Sequence, residues 1–134
     1  MKSFFLSLFL LVSTLTSFAQ SAKIHYLRAH NVSMGVRVDD NSPVTSWPVE
    51  GEEVNILIEL HETKVKIFSK KEQNYFIINK VSQTENEHKW LCKNLDGFSC
   101  YIRMQTNPEY PGLITVAIEF NDFVWFYVCS HESN

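Results

Sequence analysis

The sequence predicts an all-β protein, an antiparallel meander of about eight strands closing into a small barrel. Three observations carry this. The apolar period is two rather than 3.6 along most of the chain. The apolar runs are rich in β-branched and aromatic residues, which suit a pleated, half-buried surface. The connectors are mostly short, and short connectors join antiparallel neighbours. About eight strands in sequence order hide their edges only by closing into a barrel or folding into a sandwich, and the barrel is the expected solution.

The elements read as follows. Met1-Lys2-Ser3 is a short basic start, and Phe4 to Val12 is nearly all apolar. Ser17 and Ala19 are small residues at the −3 and −1 positions of a cleavage site. Residues 1–19 are therefore expected to be a secretory signal peptide, with an apolar run too short to span a bilayer. The mature chain would begin at Gln20, and residues 20–134 would form one β-barrel domain. Its expected place is the periplasm or the medium, and no later stretch reads as a membrane span.

"NVSMGVRVDD" puts Val32, Met34, Val36 and Val38 on one face and Ser33, Gly35, Arg37 and Asp39 on the other. "AKIHYLRAH" before it fits a strand or a short helix. Asn41 to Glu52 reads as a long loop carrying Trp47-Pro48. "VNILIEL" places Val54, Ile56, Ile58 and Leu60 together, and "TKVKIFS" sets Val65 and Ile67 against Lys64 and Lys66. "NYFIINKV" is a further strand. "GLITVAIEF" alternates Ile114, Val116, Ile118 and Phe120 with Thr115, Ala117 and Glu119, and the aromatic-rich "FVWFYVC" closes the chain.

"KWLCKNLDGFSC" reads as a hairpin. "NLDG" fits a type I turn with Gly97 in a left-handed bulge position. If Asn94 pairs with Phe98, then Cys92 lies opposite Cys100 and Trp90 opposite Ile102. Trp90, Cys92, Cys100, Ile102 and Met104 would then share the interior face. The turn "ND" would likewise set Cys129 opposite Ile114. A zinc site would need close-spaced Cys and His pairs, which this spacing does not supply. In an oxidising compartment Cys92 and Cys100 are a disulfide candidate. The alternatives are two buried free thiols, or a bond from either to Cys129.

The sequence holds no G-x-S-x-G, no H-E-x-x-H and no phosphate-binding glycine loop, and no histidine is spaced for a strand metal pair. No enzyme activity, catalytic residue, metal or cofactor is expected. The signal contains one lysine, Lys2, so the formal charge of −3 becomes −4 in the mature chain. That balance disfavours a nucleic-acid partner. Two loops suit a binding module. Trp47 is a candidate aromatic anchor. "TNPEYPG" offers Glu109, Tyr110 and Gly112 between two stiffening prolines, Pro108 and Pro111.

"VNILIELHETKVKIFSKKEQNYFIINK" followed by "WLCKNLDGFSCYIR" resembles uncharacterised small exported proteins of Bacteroidetes-type bacteria, and "SFAQ" resembles signal ends in that group. More distantly, "NILIELHETKVKIFS" and the meander are similar to staphostatins, lipocalin-like barrels that block papain-like cysteine proteases with a loop. Their G-T-S-type motif is missing here, they are cytosolic, and Gly112 holds only a comparable late position. The staphostatin resemblance implies a lipocalin-like barrel, and the exported family has no settled function. The expected function is an exported module that contacts a protein partner, an inhibited exported protease being one candidate. The alternative is a lipocalin-like carrier of a small apolar ligand.

Overall fold

The computed structural model describes residues 24–36 and 46–132, with the side chains of 46–50 excepted. The described residues form eight strands and no helix. They are β1 His25–Val36, β2 Ser46–Leu60, β3 Lys64–Ile67, β4 Gln73–Gln83, β5 Glu87–Asn94, β6 Ser99–Thr106, β7 Leu113–Glu119 and β8 Phe123–His131. Each pairs antiparallel with its sequence neighbour, and β1 pairs with β8 to close the barrel. An even number of alternating strands returns the end of β8 to the mouth where β1 begins. There the Glu132 N–H donates to the Tyr26 carbonyl at 2.9 Å. Arg28 grips the Glu132 carboxylate with Nε at 2.9 Å and Nη2 at 3.1 Å. That hydrogen bond holds the Glu132 carboxyl below its ordinary range.

Two expectations are corrected. "AKIHYLRAH" and the start of "NVSMGVRVDD" are not separate elements, because β1, His25–Val36, joins them; Arg37 to Asp40 lie outside the described residues. Its pairing skips His30, since Ala29 faces Cys129 and Asn31 faces Val128. This bulge switches the inward parity from Leu27 and Ala29 to Val32, so strict alternation fails there. The reading of Asn41–Glu52 as a loop also fails from Ser46 onward, where β2 begins. β2 carries an extra residue between the pairs Met34–Val49 and Val36–Ser46. Pro48 falls within that irregularity, where a missing N–H is tolerated.

β4 is irregular too, with register shifts at Ile78 and Val81 that leave both exposed, and the interior follows the alternation along the other strands. Ile58, Val65, Ile67, Ile102, Ile114, Val116 and Ile118 are buried, with Val54, Ile56, Leu60, Trp90, Met104, Phe120 and Trp125 packed against them. Among the described residues no helix is long and apolar enough to cross a membrane.

One outward acid is nonetheless buried. Glu119 is only 5% exposed. Arg103 and Ala117 face each other, with Lys89 beyond, and the long basic side chains lie across the β7 exterior. Arg103 Nη2 reaches Glu119 Oε2 at 3.4 Å, and Lys89 Nζ lies 3.9 Å from Oε1. Arg103 Nε also approaches Glu87 Oε1 at 2.8 Å.

The β5–β6 hairpin has the expected register. Cys92 faces Cys100 and Trp90 faces Ile102. The Asn94 N–H donates to the Phe98 carbonyl, and the Gly97 N–H to the Asn94 carbonyl. Asn94 Oδ1 accepts from the Asp96 and Phe98 N–H groups at 3.0 and 2.9 Å. Gly97 has φ of 87°, and an added Cβ would meet nothing within 4 Å. Gly97→Ala should therefore cost about 1–2 kcal/mol through the backbone alone. Urea unfolding would measure it, and an unchanged midpoint would contradict the turn assignment.

Candidate functional site

The barrel has two ends. One is built by the β3–β4, β5–β6 and β7–β8 turns. A recess of about 470 Å³ lies there, lined by Gln73, Tyr75, Phe120, Phe123 and Trp125 among others. Its floor is a polar network. Tyr75 Oη donates to Gln73 Oε1, while Gln73 Nε2 donates to Ser69 Oγ at 2.9 Å and to Tyr127 Oη at 3.3 Å. One amide thus satisfies two buried phenols, and burial pushes both phenol pKa values up.

The other end is the terminal mouth, where β1 starts, β8 ends, and the β2–β3, β4–β5 and β6–β7 connections turn. A recess of about 410 Å³ opens there. Its floor is apolar: Leu27, Leu60, Ile77, Trp90 and Met104. Its rim is not. His25, His61, His88 and His131 all line it, together with Glu62. The chain has five histidines, so four converge on one recess. The His88 ring stacks on Trp90, centroids 5.6 Å apart and planes 21° apart. His61 Nε2 lies 2.9 Å from Glu59 Oε1. The fifth, His30, is elsewhere and shares a hydrogen bond with Ser130 Oγ at 2.8 Å.

The β6–β7 loop stands at this same end, and the Thr106 N–H donates to the Asn86 carbonyl across to the β4–β5 turn. The loop holds its own shape. The Tyr110 N–H donates to the Asn107 carbonyl and the Leu113 N–H to the Tyr110 carbonyl. Asn107 Oδ1 accepts from the Glu109 N–H at 3.0 Å. Pro111 and Gly112, the latter at φ 91°, occupy the central positions of a type II turn. Glu109 is exposed, and Tyr110, at the join of the two turns, is 60% exposed.

The other candidates fall as follows. Trp47 lies within the β2 backbone, and its side chain is outside the described residues. Cys92, Cys100 and Cys129 are buried free thiols. Burial pushes Cys92 up to about 11 and Cys100 and Cys129 up to about 12, away from the thiolate. Among the described residues no group of three or more His, Cys, Asp or Glu could hold a metal ion.

Taken one at a time in the sequence, the histidines carry no signal. Strand direction would have found them. His25 and His88 lie at or near the starts of odd strands, while His61 and His131 lie at or just past the ends of even ones. An up-and-down meander brings those positions to one mouth.

The fold and the mouth define a small closed antiparallel β-barrel with an apolar, histidine-rimmed recess at its terminal end. The chain matches no protein-family model, no curated protein and no solved structure.

Proposed function

We propose that this chain is a non-enzymatic exported binding module that contacts a protein partner through the β6–β7 loop. The observation that carries this reading is the presentation of Tyr110. Two consecutive turns and two prolines fix the loop around an exposed aromatic side chain. Ordering costs little on binding when the loop is already shaped, and tyrosine is a frequent interface anchor. The buried thiols, pushed away from the thiolate, speak against a cysteine nucleophile. Export rests on residues 1–19. An exported protease is the partner class suggested by the resemblance to staphostatins.

The carrier reading has less support. Ile58, Ile102, Ile118 and the three cysteines fill the middle of the barrel, so an enclosed apolar ligand would have to displace core side chains.

The test is capture from the host's exported fraction by immobilised mature chain, with the retained protein identified by mass. Tyr110→Ala should lower retention of that protein at least roughly tenfold, the range of an aromatic hot spot. Its urea midpoint should stay within about 0.5 kcal/mol of wild type. Unchanged retention by this variant would sink the reading.

A further inference from the structure

The histidine-rimmed recess lies outside the Tyr110 contact, and Tyr110 does not line it. We propose that it is a binding site for a small amphiphilic anion, a compound with a flat apolar body and an acidic headgroup. Three observations carry this.

The first is shape and polarity. At about 410 Å³, the recess has the size of an ordinary small-molecule site, with an apolar floor and polar groups confined to its rim. Such a site takes the apolar end of a ligand inward and leaves its polar end at the mouth.

The second is the flat surface inside. Trp90 is partly buried against the core, and His88 stacks on it at 5.6 Å. A planar ring entering beside this pair gains offset-stacked or edge contacts that an alkyl chain does not.

The third is charge. Four imidazoles face the recess from β1, the β2–β3 connection, β5 and β8. Glu62 is the single carboxylate in its lining, and Glu59 is already paired with His61. Arg28 and Glu132, nearby on the barrel seam, neutralise one another. Histidine side chains gain positive charge between pH 8 and 5 in general. Imidazole N–H groups donate hydrogen bonds, so four histidines against one lining carboxylate make an anionic headgroup the complement of the rim. A shared metal ion is not, because no three donors among the described residues converge closely enough.

The site follows from strand direction and rests neither on the Tyr110 contact nor on export. The test is calorimetric titration of the mature chain with naphthalene-2-sulfonate, whose charge is constant with pH, and with the neutral naphthalene-2-sulfonamide. At about pH 5.5 the sulfonate should bind roughly fivefold or more tightly than at about pH 7.5, while the sulfonamide shows no such change. The double variant His25→Gln, His131→Gln, which leaves the His88–Trp90 pair in place, should lose much of that difference and keep its sulfonamide affinity. Met104→Trp, which fills the floor, should abolish binding of both. Tyr110→Ala should bind both as wild type does, which separates this site from the protein contact. Equal sulfonate affinity at the two pH values overturns the proposal. So does sulfonate binding that survives Met104→Trp, or binding of neither compound at millimolar concentration.

Discussion

Ile102→Ala is expected to cost about 2–5 kcal/mol, the range for deleting a fully buried aliphatic side chain. Ile102 is 0% exposed and sits in the ladder between Trp90 on β5 and Ile118 on β7. Its removal leaves a void that strands on both sides, fixed by hydrogen bonds, cannot close. A domain of this size has a total stability of only about 5–15 kcal/mol, so the variant should unfold at much lower urea. Ile102→Val should cost only about 0.5–1.5 kcal/mol. Leu95→Ala, in the exposed β5–β6 turn, should stay within about 0.5 kcal/mol of wild type. Equal losses at Ile102 and Leu95 would mean that the barrel interior is not where the structure puts it.

Stability should also fall steeply in alkali. Thiols in the unfolded chain titrate near the ordinary value of 9.0, whereas Cys92 is pushed up to about 11 and Cys100 and Cys129 to about 12. Burial is the first cause in each case. A hydrogen bond from the Ile102 backbone partly offsets it at Cys92, and Cys92 adds to it at Cys100. The folded state therefore keeps protons that the unfolded chain releases. The stabilisation is complete below pH 9 and is lost as pH rises from about 9 towards about 12. Each thiol contributes up to about 1.4 kcal/mol per pH unit in that window. The tyrosines Tyr75 and Tyr127, also pushed up by burial, steepen the fall above the ordinary phenol range.

Urea unfolding followed by circular dichroism at about pH 8, 9 and 10 would measure the slope. Replacing all three cysteines by alanine should remove most of it. The same slope reports the state of Cys92 and Cys100. They face each other in the ladder, at a separation a disulfide can span. A slope worth three thiols means all are free, and a slope worth one means that these two are bonded. A flat profile would contradict their burial.

Much of the barrel was legible in the residues. "NLDG" set the β5–β6 register, because only a turn with glycine at positive φ places Asn94 against Phe98. The alternation in "VNILIEL", "TKVKIFS" and "GLITVAIEF" chose the inner face, because burying every second side chain is the cheapest use of a pleated strand. The proline-flanked Tyr110 loop was visible for the same reason, as proline and glycine dictate local turns.

Tertiary structure decided the rest. The His30 bulge depends on how β1 fits β8, so local alternation could not show where β1 changes parity. Glu119 reads as an exposed acid, yet basic side chains from other strands lie across it. The four histidines of the mouth lie far apart in the chain, and only alternating strand direction and closure bring them to one rim. Local sequence determined which residues face inward and where the chain turns, because those are short-range matters of periodicity and φ. Closure determined which distant residues meet, because that depends on the register of every strand between them.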